Sequence, residues 1–275
     1  MISITNKIKI IDLALYIPKN EVLIFSDFHM GYEEVLNAQG ILLPRFQFKD
    51  TITRLDSIFA QLKDKKIKTI VINGDLKHEF DSIRNQEWRE VLHLIDYLAQ
   101  HAEEVVIVKG NHDAMLNPIV QKRSIKLVVD YALDDILISH GDEIAEEEKQ
   151  KKAKTIIIGH DHPAIGIREN NRREVFKCFL KRVWKKKMII VQPSFNVLVE
   201  GSDILKEKAL SPYLQDSLKN VEVWVVVERN AQNTREEKQP TAAKSHEVLY
   251  FGKVGDMQRE QERINNTKTI QNETK

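Results

Sequence analysis

A layered α/β domain is what this 275-residue sequence predicts, and two patterns predict it. Short apolar, β-branched runs recur along the chain, each ended by small or polar residues. Between them lie segments whose apolar residues fall on one helical face. Strand alternating with helix is the pattern of α/β layers.

The first run is Val22–Phe25. A helical pattern follows over Asp50–Lys63, where Ile52, Leu55, Ile58, Phe59 and Leu62 share a face. Thr69–Ile72 is the second run, and in Gln86–Gln100 the residues Trp88, Val91, Leu92, Ile95 and Leu98 form the next apolar stripe. Val105–Val108, Ile136–Ile138, Thr155–Ile158 and Met188–Val191 complete the series. Further on, Val221–Glu228 and Glu247–Phe251 read as two paired strands, joined by a polar stretch without periodicity. Gln258–Lys275 is polar with almost no apolar anchors, which suits a disordered tail or a frayed helix. The expected organisation is a single domain over 1–257, with a mobile loop at 229–246 and a disordered tail at 258–275.

Composition narrows the class. Hydrophobic residues make up 42% and charged residues 30%, which argues against disordered, collagenous and disulfide-rich chains. The uninterrupted apolar runs are strand-sized, whereas a membrane span needs about 20 apolar residues, so no membrane association is expected. The N-terminus lacks a basic stretch followed by an apolar one. Cys178 is the sole cysteine, which excludes an internal disulfide and fits a reducing compartment. Cytoplasmic localisation is the expectation. The net charge of +1 hides a local cluster. Residues 168–187 carry nine basic side chains against Glu169 and Glu174. Such a run is usually a solvated surface; the functional reading is a rim that tracks nucleic-acid phosphates. Aromatic interleaving is limited to Trp184, which favours the solvated surface.

The chemistry lies in the loops after the strands. Val22–Phe25 leads into Ser26-Asp27-Phe28-His29, and Thr69–Ile72 into Asn73-Gly74-Asp75-Leu76-Lys77-His78. Val105–Val108 leads into Lys109-Gly110-Asn111-His112-Asp113. Ile136–Ile138 is followed by Ser139-His140-Gly141-Asp142, and Thr155–Ile158 by Gly159-His160-Asp161-His162-Pro163. Ligands in open α/β sheets gather beyond the carboxyl ends of the strands, so these loops should open on one edge. Imidazole, carboxylate and amide oxygen without a thiolate suit Mn²⁺, Fe²⁺, Zn²⁺, Ni²⁺ or Co²⁺. Seven candidate ligands are too many for one tetrahedral ion and enough for two that share a carboxylate.

Taken in order, D-x-H, G-D, G-N-H-D, H and G-H-x-H over residues 23–163 resemble the calcineurin-like metallophosphoesterase superfamily. The resemblance implies a four-layer αββα sandwich, two mixed β-sheets flanked by helices. It implies two divalent ions, Mn²⁺ being the expected pair. Asp27, His29 and His162 would hold one ion, Asn111, His140 and His160 the other, with Asp75 bridging. His112 would act as general acid with Asp113 orienting its imidazole. His29-Met30-Gly31, Gly40–Pro44, Gly74–His78, Pro193–Asn196 and Leu249–Gly252 are similar to a narrower group, the SbcD-related prokaryotic phosphoesterases, some encoded near large helicases or DNA ligases.

The reading is therefore a dinuclear phosphoesterase acting on phosphodiesters, first of all those of nucleic acid, with a helicase or DNA-repair protein as the implied partner. A phosphatase or phosphodiesterase for nucleotides or other small esters is the alternative, and a non-catalytic scaffold of the same fold a remote one. Arg45 and His78 are lesser candidates for substrate contact. Oligomeric state is not legible.

Overall fold

The computed structural model describes residues 1–169, 172–229, 245–260 and 262–263. Strands β1 (Ile2–Ser3), β2 (Lys9–Ile11), β3 (Ala14–Ile17) and β4 (Val22–Ser26) run antiparallel in sequence order. Helices α1 (Tyr32–Ala38) and α2 (Gln47–Gln61) follow, then β5 (Thr69–Asn73), α3 (Asn85–Ala99), β6 (Glu104–Val108), α4 (Asn117–Arg123) and β7 (Lys126–Val128). Strands β4 to β7 are parallel neighbours, which completes a seven-stranded sheet.

The second sheet starts with β8 (Asp130–Leu133) and β9 (Ile136–Ser139) and passes through a short exposed helix, α5 (Glu147–Lys152). Strands β10 (Thr155–Ile158), β11 (Pro163–Glu169), β12 (Arg172–Trp184), β13 (Lys187–Val191) and β14 (Ser202–Asp203) follow. The order is β14-β11-β12-β13-β10-β9-β8, and β15 (Glu222–Arg229) pairs with both β12 and β16 (Ser245–Lys253). This is the expected α/β sandwich of two mixed sheets flanked by helices.

Period-two alternation explains how the second sheet is covered on both faces. Ile138, Ile157, Phe179, Ile190, Trp224 and Val226 pack into one cluster with the first sheet and with Leu55, Ile58, Val91, Leu94 and Leu98 of α2 and α3. Their sequence neighbours Leu137, Ile156, Ile158, Leu180, Val191, Val223 and Val225 point the other way. These pack with Tyr213 and Leu214 from a 3₁₀ turn, Pro212–Leu214.

Two sequence expectations change here. The first strands, β1 to β3, lie outside the series legible in the sequence. The basic segment 168–187 is mostly strand, and its charges are largely engaged. Arg173 bonds Asp203 at 2.7 Å, Lys181 bonds Glu222 at 2.8 Å, and Lys187 reaches the carbonyl of Ala153 at 2.7 Å. The Lys185–Lys186 turn joins β12 to β13. Trp184 pairs with Lys187, whereas Leu180 pairs with Val191, and β13 runs parallel to β10, whose carboxyl end leads to His160. These lysines therefore lie at the end of the sheet opposite the catalytic loops and cannot rim them. Finally, 254–260 is helical, so the first residues of the tail follow the frayed-helix alternative. Residues 230–244 and most of 258–275 lie outside the described residues, and with them the mobile-loop and tail expectations.

Candidate metal centre

Five of the expected ligands sit in loops where the backbone is left-handed: Asp27 (φ 54°), His29 (φ 45°), Asp75 (φ 47°), His160 (φ 68°) and His162 (φ 46°). Residues with a Cβ avoid this region, and holding one there costs about 1–3 kcal/mol. Surrounding bonds enforce it. The Asp27 N–H donates to the Gly74 carbonyl at 3.1 Å, and the His29 N–H to the Asp75 carbonyl at 2.9 Å. The loops after β4 and β5 are thereby zipped together.

Three groups of side chains converge: His29, His78 and His112 form one, and the other two share Asp75. Asp27, His29, Asp75 and His162 bring ligand atoms within 4.8 Å of one another, and so do Asp75, His140 and His160. Asp75 belongs to both. The His29 and His162 Nε2 atoms are 3.2 Å apart. His140 Nε2 lies 3.0 Å from Asn111 Oδ1 and 3.2 Å from His160 Nδ1, which places Asn111 with His140 and His160. His112 Nε2 is 3.8 Å from Asp75 Oδ2, and the His112 N–H donates to Asp75 Oδ1 at 3.0 Å. The structure thus collects all seven expected ligands, with His112 beside them.

The electrostatics fit a cation. Burial pushes His29 down to about 3, reinforced by the charge of His162, and burial also lowers His160. Both imidazoles therefore keep free lone pairs at neutral pH. Burial works to raise Asp75, but the hydrogen bond and charge of His140 outweigh it and hold the carboxyl below its usual range. Burial likewise opposes ionisation of Asp27, yet His162 and His140 keep it low. His140 is driven up to about 10: burial works downward, but its bond to Asp75 and the charge of Asp27 prevail. Two adjacent buried carboxylates demand positive charge, and without an ion His140 must supply it. Divalent cations answer that demand and release the proton.

Gly74 shows how tight the packing is. With φ at +79°, a Cβ there would lie 2.0 Å from His140 Nδ1. Gly74→Ala should displace the imidazole and cost on the order of 10²-fold in turnover, the usual consequence of a 1 Å misplacement. Wild-type turnover at matched metal content would contradict this.

Two expectations are corrected. Asp113 does not orient His112. Its buried carboxylate accepts from the N–H groups of Gly110 (3.0 Å) and Leu76 (3.1 Å), pinning the loops after β5 and β6 together. Burial and the charge of Asp75 push it up to about 7. The partner of His112 Nδ1 is instead the carbonyl of His78. Arg45 is exposed and its charge acts on Glu90; it does not line the cleft at the centre. His78 does line that cleft, of about 540 Å³, with Tyr32 and His112. Its Nδ1 is 3.3 Å from His29 Nδ1, so it stands beside an expected ligand and on the cleft.

The sequence also left supporting residues unread. Glu87 is buried, and its Oε1 accepts from the N–H groups of His78 (2.8 Å) and Glu79 (2.9 Å). Lys177, counted with the basic run, is half-buried. Its Nζ donates to the carbonyls of Ser194 (2.7 Å) and Asn196, and burial followed by the charge of Arg54 lowers it to about 7. Ser194 Oγ in turn donates to the Asp27 carbonyl at 2.8 Å. Alternation along β12 was the one signal for Lys177.

The family model for calcineurin-like phosphoesterases matches residues 21–190, and the chain belongs to that family. It is a metal-dependent phosphoesterase with a two-sheet α/β fold, and the family is dinuclear. Nuclease MPE from Pseudomonas putida is similar in structure, with a TM-score of 0.55 and 19% identity over 78% of this chain and 88% of that one. Vps29 from Entamoeba histolytica complexed with Zn²⁺ aligns at a TM-score of 0.34 and 15% identity, over 84% and 99% of the two chains. YfcE, a phosphoesterase from E. coli, aligns at 0.34 and 14%, over 75% and 91%. Comparison with curated protein sequences finds no match. Among the described residues no helix is long and apolar enough to cross a membrane.

Proposed function

We propose that the chain hydrolyses phosphodiester bonds, with nucleic acid as the substrate class. One ion would be held by Asp27, His29 and His162, the other by Asn111, His140 and His160, and Asp75 would touch both. The observation that carries this is the sharing of Asp75 between two ligand groups with His112 against it. When bound, two such ions polarise the phosphoryl oxygens and make water acidic enough to attack near neutral pH.

The chain's own residues supply the rest. His112 donates the proton that the leaving alkoxide needs from Nε2, while its Nδ1–H is held by the His78 carbonyl. Asp113 keeps the Asn111–His112 loop on the Asp75 loop through backbone N–H groups. The cleft of about 540 Å³ has room for a diester. Similarity to a structure described as a nuclease and the SbcD-like segments support nucleic acid over other diesters. Mn²⁺ as the metal, a helicase or DNA-repair partner and a cytoplasmic setting belong to the same reading.

A panel decides the substrate class. Labelled single- and double-stranded DNA and RNA, nucleotides and bis-p-nitrophenyl phosphate are each incubated with Mn²⁺ and with chelator. Metal-dependent cleavage of an oligonucleotide, with kcat/KM above that for the nucleotides, is the expected result. Turnover confined to nucleotides or other small esters would transfer the site to the alternative reading.

A further inference from the structure

The cleft beside the metal centre has a wall of rings: Tyr32 meets His78 edge-on with centroids 4.6 Å apart, and His78 stacks on His112 at 5.4 Å. Phe80, next to this lining, covers His112 at 3.6 Å with planes 31° apart. Phe80 is 47% exposed, although an aromatic ring ordinarily buries most of its area. Across the cleft stand Asn196, Glu200 and Ser202, and among the described residues no lysine or arginine lines it. Within the basic segment, Arg173, Lys181 and Lys187 are engaged by Asp203, Glu222 and the Ala153 carbonyl, and Lys185 and Lys186 turn at the far end of the sheet. Among the described residues that line the cleft, ring surface rather than positive charge stands beside the expected ligands.

Phe80 covers the imidazole that, in the reading above, protonates the leaving oxygen. We propose that Phe80 is a specificity residue that stacks on the nucleobase of the leaving nucleoside, with Tyr32 extending the ring wall. The proposal rests on the nucleic-acid reading above and deepens it. Base–aromatic stacking tolerates any base, since each has a π-face. Selectivity should therefore be for the presence of a base, not its identity, and affinity should depend weakly on salt because few phosphates meet basic side chains.

The test uses a dithymidine phosphodiester and the two analogues in which one or the other thymine is replaced by hydrogen. The product that keeps the phosphate shows which nucleoside left. Phe80→Ala should lower kcat/KM roughly ten- to hundredfold wherever the leaving nucleoside carries its base, and leave turnover of the analogue without that base at the wild-type level. Phe80→Leu, which keeps an apolar cover over His112, should behave like the alanine variant, and Phe80→Trp should restore the preference. Equal losses on all three diesters would show that Phe80 merely buttresses His112, and no loss on any would show that it touches nothing; either overturns the proposal alone. Wild-type protein that turns over bis-p-nitrophenyl phosphate but none of the dinucleotides would remove the nucleic-acid reading, and this proposal with it.

Discussion

Asp75→Asn should reduce turnover on the order of 10³-fold and strip metal from both positions. The charge stabilisation that metal ions provide amounts to several kcal/mol, and each 1.4 kcal/mol is a factor of ten in rate. Asparagine keeps the shape of the side chain and an Oδ1 that can still accept the His112 N–H, so the loops should hold. What disappears is the negative charge common to the two groups. His29→Ala and His160→Ala each affect one group and should cost less in bound metal. In metal-free protein the same substitution has a second readout. The His140 imidazole, held up near 10 by Asp75 and Asp27 against the effect of burial, should titrate closer to an ordinary histidine. The sign for stability is set by a folded pKa above the unfolded one: the contribution of His140 is complete below about 6.5 and is lost as pH rises through about 10. Unchanged metal content in Asp75→Asn would show that the bridge lies elsewhere.

His112→Gln should keep both ions and divide substrates by their leaving groups. A positioned general acid contributes roughly 10²–10⁴-fold when the leaving group is a poor one. A nucleoside alkoxide needs the proton, whereas p-nitrophenolate departs without it. The variant should lose most activity on a natural diester and far less on p-nitrophenyl esters at the same pH. If His112 instead stabilises charge on the phosphoryl oxygens, both fall together, and kcat for the two substrates decides. Asp113→Asn should give a different pattern from the one its place beside His112 suggests. Its carboxylate holds the N–H groups of Gly110 and Leu76, so weakening it disturbs the loops and lowers both substrates alike.

The contrast between His112 and Asp113 shows how far the chain could be read without its fold. The five loops were legible because each directly follows an apolar run, and the carboxyl ends of neighbouring parallel strands must open on the same edge. The strands after which Asp27, Asp75 and Asn111 stand are β4, β5 and β6, which pair in that order. Adjacency misled at Asp113, because consecutive loop residues project in different directions and backbone N–H groups compete for a buried carboxylate. Charge misled over 168–187. Period-two alternation sends Lys177 inward to the Ser194 carbonyl, while Lys185 and Lys186 turn at the far end of the sheet, and net charge carries neither fact. The segment Ile8–Ile17 is buried almost throughout, so it lacks the alternation that would have marked β2 and β3. Phe80 and Glu87 reach the site by tertiary packing, for which the sequence has no local signal.

The central claim is that two divalent ions share Asp75, and one measurement addresses it directly: metal content per chain, determined with turnover of bis-p-nitrophenyl phosphate on the same samples. Protein stripped with EDTA and reconstituted with Mn²⁺ should bind two ions per chain, and activity should return only as the metal is restored. Full turnover in the exhaustively stripped protein would contradict the account.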